Sequence, residues 1–248
     1  MKRFMKWLAP ALILLLTACS LLEDKQAVFS PEENFRQGER MMEKGKYKAA
    51  VDNWQKVLDA YLSPQLNMLA EMKIAEAHYM AKEYPEASAV YEDFLKRHPD
   101  ARQLPEVMYR LAMSYYKQRL SPDRDQTATH SALVTFQSLI RMFPQDPNAA
   151  SAAERVEELH QELAEHEFYV GRFYLRTKQY RAAIGRLEAL LADFPDYKKK
   201  DQTYFLLGQA YLKSDQLPKT VETYNRLATE FPNSPFLPKA RKQLPDTK

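Results

Sequence analysis

The sequence predicts an all-α solenoid of about five stacked helix pairs, and three observations predict it. Four phrases recur, KRHPD at 96–100, RMFPQD at 141–146, ADFPD at 192–196 and TEFPN at 229–233. Each closes a segment whose apolar residues fall three and four apart, the period of a helix. The same residue types also return at a fixed interval: 37 residues separate Pro195 from Pro232, Tyr47 from Tyr84, Trp54 from Tyr91 and Leu58 from Leu95. A period in this range marks a stack of repeated units. Glycine is scarce, at 5 in 248 residues, as suits a chain of helices and short turns.

The first unit, about 31–62, carries Gly38, Ala50 and Trp54 but no closing proline at the usual place; Ser63-Pro64 follows slightly later. The second, 71–99, gives Ile74, Ala75, His78, Ala87, Tyr91, Phe94 and Pro99. The third, about 105–144, has Leu111, Ala112 and Tyr115, then eight extra residues before Ala132, Phe136 and Leu139; the surplus is a polar loop at 121–127. In the fourth, a long helix runs from near Asn148 to about Arg176 and is followed by Ala183, Leu187, Leu190 and Pro195. The fifth, 201–232, reads Tyr204, Leu207, Gly208, Tyr211, Thr220, Tyr224, Leu227 and Pro232. Pro235–Leu244 is expected to cap the stack.

This spacing resembles the tetratricopeptide repeat, which implies a right-handed superhelix of antiparallel helix hairpins. The small residues Gly38, Ala75, Gly171 and Gly208 then mark where the first helix of a unit crosses the second, with Ala50, Ala87, Ala132 and Ala183 at the matching place on the second helix. Pro85 and Pro218 start second helices, where a missing N–H costs nothing. The later prolines end them, because the residue before a proline avoids the α region.

The N-terminus has its own chemistry. Lys2, Arg3 and Lys6 precede an apolar run from Trp7 to Leu16, too short to span a bilayer. A basic start, a short apolar middle and small residues make a secretory signal peptide over 1–18. Leu16-Thr17-Ala18-Cys19 resembles the bacterial lipobox, which implies a diacylglycerol and an N-acyl chain on Cys19 after cleavage before it. Ser20, rather than an aspartate, favours the outer membrane. Residues 19–30 form the lipidated N-terminus and linker.

Cys19 is the only cysteine, so no disulfide, thiolate nucleophile or thiolate metal site is available. The formal charge of +3 includes three positives in the signal segment, so nothing calls for nucleic acid. Lys198-Lys199-Lys200 reads as a solvated helix start. No HExxH, GxSxG or phosphate-binding glycine loop exists, and His160 and His166, six apart, lie on different helix faces. His78 and His98 read as structural. Glu154, Glu157, Glu158, Glu162, Glu165 and Glu167 read as an acidic surface on the long helix. No enzyme, metal or cofactor is expected.

A protein-binding groove is expected on the first helices of units 1–3, lined by Phe35, Met42, Leu69, Met72, Tyr79, Tyr109, Met113 and Tyr116, with Glu39 and Glu76 among them. Methionine adapts to varied ligands and aromatics give rigid contact area. Taken singly, each of these residues reads better as core between units; the groove is the reading of the stripe as a whole.

The lipobox, polar lead and five repeats together resemble the BamD family of outer-membrane assembly lipoproteins. HEFYVGRFYLRTKQYRAAIGRLEALLADFPDY at 166–197 and FSPEENFRQGERMMEKGKYKAAV at 29–51 carry the resemblance most clearly. It implies a lipid-anchored, periplasm-facing subunit of the outer membrane that works with BamA. Residues 31–144 would hold a groove for unfolded β-barrel proteins, 145–233 would dock on the BamA POTRA domain, and 234–248 would be cap and tail. Through QYRAAIGR the resemblance assigns the docking arginine to Arg186. Other lipoproteins of that machinery are further implied partners. The rival reading is another lipidated repeat scaffold, such as a secretin pilotin or a peptidoglycan-enzyme adaptor.

Overall fold

A computed structural model of the chain describes residues 30–61 and 63–244; Cys19 and its lipobox lie outside the described residues. Five helix hairpins follow one another. Unit 1 pairs α1 (Pro31–Glu43) with α2 (Tyr47–Ala60), and unit 2 pairs α3 (Pro64–Met80) with α4 (Tyr84–Arg97). Unit 3 pairs α5 (Leu104–Lys117) with α6 (Thr127–Met142). Unit 4 pairs the long α7 (Pro147–Arg176) with α8 (Tyr180–Asp193), and unit 5 pairs α9 (Lys200–Lys213) with α10 (Leu217–Glu230). The short α11 (Leu237–Arg241) closes the stack, burying Leu237 and Ala240.

Local chemistry sets the helix ends. Ser30 Oγ accepts from the Glu33 N–H at 3.2 Å, Ser63 Oγ from the Leu66 N–H at 3.3 Å, and Asp146 Oδ1 from the Asn148 N–H at 2.8 Å. Each side chain satisfies a donor that the first turn leaves open. Four second helices end two positions before a proline, with one cap residue between. His98, Phe143, Phe194 and Phe231 adopt φ between −133° and −127° with ψ between 58° and 69°, outside the α region as a following proline requires. Unit 1, without that proline, ends instead on Tyr61 in the left-handed region at φ 48°.

The turn inside units 1, 2, 4 and 5 is one motif. Gly45, Lys82, Lys178 and Asp215 occupy the same place with φ between +58° and +67°. The next N–H in each case reaches back to Met41, His78, Tyr174 or Tyr211 at 2.9–3.0 Å, a Schellman closure. Only one of the four is glycine. The other three carry the Cβ penalty of the left-handed region, about 1–2 kcal/mol for most residues.

The core runs through the crossings. Ala50, Ala75, Ala87, Ala132 and Ala183 are wholly buried, so the helices meet at close range. Gly38 lies against the Trp54 ring, Gly171 against Leu187, and Gly208 against the Tyr224 ring. A recurring polar tie joins unit 3 to unit 2 and unit 5 to unit 4: Tyr115 of α5 donates to Glu92 of α4, and Tyr211 of α9 donates to Glu188 of α8. The separation is 23 residues in both, so the tie is part of the repeat.

Two surface readings need correction. The glutamates of α7 do not form an acidic surface as a group: Glu158 takes Arg155 at 2.7 Å, Glu162 takes Arg119 at 2.5 Å, Glu165 takes Lys199 at 2.7 Å and Glu167 takes Arg186 at 3.0 Å. Nor is the lysine run simply solvated. Lys199 lies over the Phe168 ring at 5.6 Å, and Lys200 pairs with Glu230 at 3.4 Å. Sequence periodicity identifies a helix face, but the partner across a crossing depends on the register of two helices.

Candidate protein-docking surfaces

The expected groove residues fall into separate environments. Leu69 and Met72 of α3 line a cleft of about 210 Å³ between α3 and α5, floored by Tyr91 of α4. Its rim is charged, with Lys73 paired to Glu76 at 2.8 Å and Arg110 to Glu106 at 3.5 Å. Tyr91 is buried, and burial pushes its hydroxyl pKa well up, so the floor stays neutral. Leu69 is 40% exposed.

Phe35 and Met42 are half-buried in the unit 1 core, where Trp54 Nε1 donates to the Phe35 carbonyl at 3.2 Å. Tyr79 meets the edge of Tyr84 with centroids 5.3 Å apart, and Tyr109 meets Phe136 at 5.8 Å. Met113 packs in the unit 3 core. Tyr116 is engaged in full: Arg119 stacks 3.4 Å from its ring centroid and its hydroxyl donates to Glu158 at 2.5 Å. The apolar stripe therefore supplies mostly packing, and the cleft of units 2 and 3 is where part of it opens. Lys73, Glu106 and Arg110 of that rim were not among the expected residues; their i, i+3 and i, i+4 charge pairs were the available signal.

Arg186 sits on the outer face of α8. Its side chain is 48% exposed, and Nη1 donates to both Glu167 oxygens at 3.0 and 3.1 Å. Among the described residues, its Nε and Nη2 meet no acceptor, so part of the guanidinium fork is left open on a half-exposed side chain. Around it, Gly185 and Ala189 are exposed, and a Cβ added at Gly185 would meet nothing within 4 Å. The result is a low, open surface with one half-anchored cation, suited to a partner carboxylate. Glu167 was missed as its partner. It lies one turn before Gly171, which crosses at Leu187, and that register was the signal.

His98 and Glu71 form a further polar centre. Glu71 is 6% exposed and accepts from Arg97 at 2.5 Å, while His98 Nε2 lies 2.8 Å from its other oxygen. The centre ties α3 to the end of α4. Among the described residues no group of three or more His, Cys, Asp or Glu side chains is arranged to hold a metal, and no helix is long and apolar enough to cross a membrane.

Helix hairpins with small residues at every crossing, a left-handed turn and a proline stop define a tetratricopeptide-repeat protein; the repeat's family model matches residues 202–234. A second family model, the outer membrane lipoprotein family YfiO, matches residues 28–217. The chain belongs to that family, which is the family of BamD. The outer membrane protein assembly factor BamD of Neisseria gonorrhoeae is 26% identical over 246 residues, covering 93% of this chain and 92% of that one. The BamD of Rickettsia prowazekii is 25% identical over 222 residues, covering 89% and 88%. A putative BamD of Aquifex aeolicus is 29% identical over 223 residues, covering 88% and 71%.

Proposed function

We propose that this chain is a lipid-anchored, non-catalytic subunit of the outer-membrane β-barrel assembly machinery. It docks on the POTRA domain of BamA through the Arg186 face of α8 and offers the cleft of units 2 and 3 to unfolded barrel proteins. Acyl chains on Cys19 hold it to the inner leaflet of the outer membrane. The single observation that carries this reading is membership of the outer membrane lipoprotein family over 28–217, since the fold alone is shared by many binding scaffolds. The open edge of Arg186 supports the docking face, and the apolar floor with its balanced charged rim supports a peptide cleft.

The test is capture of the POTRA region of the same organism's BamA by the purified lipidated chain. Arg186→Glu should abolish capture, because reversing one partner of a close interfacial pair costs several kcal/mol, on the order of 2–5. It also places two carboxylates together with Glu167. The double variant Arg186→Glu with Glu167→Arg restores the internal pair, so it should fold normally and still fail to bind. Capture by both variants would remove Arg186 from the interface; no capture by wild type would remove BamA as the partner. The intact mass of the same purified chain should show loss of residues 1–18 and gain of three acyl chains.

A further inference from the structure

Units 4 and 5 carry a second surface, on the side of α7 away from Arg186. Glu167 and Gly171 face α8, while Glu165 and Phe168 reach Lys199 and Tyr197 at the start of unit 5. At about 100° per residue, Tyr169 and Phe173 continue the opposite row, which begins with Glu162 and His166. That row is covered at first: Arg119 pairs with Glu162 at 2.5 Å, and His166 Nδ1 lies 2.6 Å from the Pro122 carbonyl oxygen. The cover then stops, and Tyr169 and Phe173 are 44% and 40% exposed. The row ends at Arg176, whose guanidinium lies 5.7 Å from the Phe173 ring centroid.

Arg176 also borders a cleft of about 370 Å³ with Leu175, Lys178, Leu212 and Lys213. Among the described residues no carboxylate lines it. Among the described residues, Arg172, Arg176, Lys178 and Lys213 form no ion pair, whereas most cations of the long-helix region do. Arg176 and Lys213 stand in the last turns of α7 and α9, where a cation offsets the helix dipole. That role accounts for one cation per helix and leaves Arg172 and Lys178 without one.

We propose that this face binds an acidic peptide segment of a partner protein. Its carboxylates meet Arg172, Arg176, Lys178 and Lys213, and a leucine or aromatic side chain packs on Phe173 or over Leu175 and Leu212. A concave cleft with an apolar floor suits a side chain, where a flat lipid surface would leave that floor empty. Arginine beside an exposed ring adds stacking to charge. The site is independent of the Arg186 contact, so one chain holds two partners at once.

The test uses the full lipidated chain in phosphatidylcholine nanodiscs and a labelled 12-residue peptide of Glu, Leu and Phe. A counterpart with Lys for every Glu is the control. The acidic peptide should bind, more weakly as salt rises, and the basic one should not. Arg176→Glu with Lys213→Glu should raise the dissociation constant at least about tenfold, and Phe173→Ser should raise it alone even if the double variant misfolds. Arg186→Glu should leave it unchanged, which separates this site from BamA docking. Equal binding of both peptides, or unchanged binding by the well-folded double variant, overturns the proposal. So does failure of the peptide to bind, with hydrogen-exchange protection of 169–178 appearing only when the discs contain phosphatidylglycerol; the face is then a membrane contact.

Discussion

Gly208→Ala and Gly185→Ala are the same substitution in neighbouring helices, and they should act in opposite directions. A Cβ on Gly208 would enter the Tyr224 ring, 2.6 Å from Cδ1 and 2.7 Å from Cζ. That ring has little room to retreat. It is 3% exposed, stacks near Phe205 at 6.2 Å and 18°, and its hydroxyl donates to Gln243 at 2.5 Å. Alanine gains about 1 kcal/mol of helix propensity over glycine. Overpacking against a fixed ring costs about 1–3 kcal/mol, and loosening the Gln243 hydrogen bond about 1 more. The net effect at Gly208 is a loss of about 1–3 kcal/mol. At Gly185 nothing lies within 4 Å, so only the gain of up to about 1 kcal/mol remains. Urea unfolding followed by circular dichroism should place Gly208→Ala below wild type and Gly185→Ala at or above it. For a chain of this size, 2 kcal/mol corresponds to a fall of about 4–8 °C in Tm. A Gly208→Ala midpoint equal to or above that of wild type would refute the claim that this glycine sets the crossing distance.

Three other perturbations test the same packing. Glu71→Ala leaves Arg97 and His98 without their shared acceptor and should destabilise by about 2–3 kcal/mol in the same urea assay, against less than about 1 for the exposed pair partner Glu106→Ala. Lys82→Gly removes a Cβ from the left-handed turn of unit 2, at φ +65°, and should stabilise by about 0.5–1 kcal/mol; a loss would show that the Lys82 side chain makes a contact worth more than the strain. Alkaline pH should unfold the chain, because burial, with a hydrogen bond to Glu230, raises the Tyr204 pKa from 10.0 to about 12. A raised pKa gives stability that is complete below pH 10 and lost as pH climbs toward 12. Tyr115, Tyr197 and Tyr211 move the same way through burial and their glutamate partners. Tyrosinate absorbance should lag behind a free-tyrosine titration and then rise together with loss of helix; a simple titration near 10 with helix intact would contradict it.

The crossings were legible because they need one residue type at one spacing. Gly38, Gly171 and Gly208 recur where a side chain has no room, and the pre-proline residues His98, Phe143, Phe194 and Phe231 end helices by a rule that needs no tertiary context. Lys82, Lys178 and Asp215 were not legible as left-handed residues, since nothing in their side chains announces it; the closed turn imposes the conformation. The same limit applies to the site. Leu69 and Tyr116 look alike in a helical pattern, yet one opens on a cleft while the other is sandwiched beneath Arg119. Exposure of Arg186 followed from its place beside Leu187, whereas its bond to Glu167 needed the register of α7 against α8.

The insertion in unit 3 bears on how the two proposed surfaces relate. Eight extra residues between α5 and α6 would be expected to loosen the solenoid at its middle. They are tied down instead. Gln118 Nε2 donates to the Tyr84 carbonyl at 3.1 Å, Gln126 Nε2 donates to the Ser121 and Arg124 carbonyls at 3.0 Å, and Gln126 is buried. Beside the loop, Arg119 bridges to Glu162, and Pro122 meets His166, so the segment grips α7 from unit 3 while α7 carries unit 4. Tyr116 adds a third tie through Glu158, with Arg155 closing the ring of charge. The Arg119–Glu162, Pro122–His166 and Tyr116–Glu158 contacts join the part that holds the cleft to the part that holds Arg186. A partner fixed on α8 therefore fixes the direction in which the cleft of units 2 and 3 faces, and the insertion acts as a brace where its length alone would suggest a hinge.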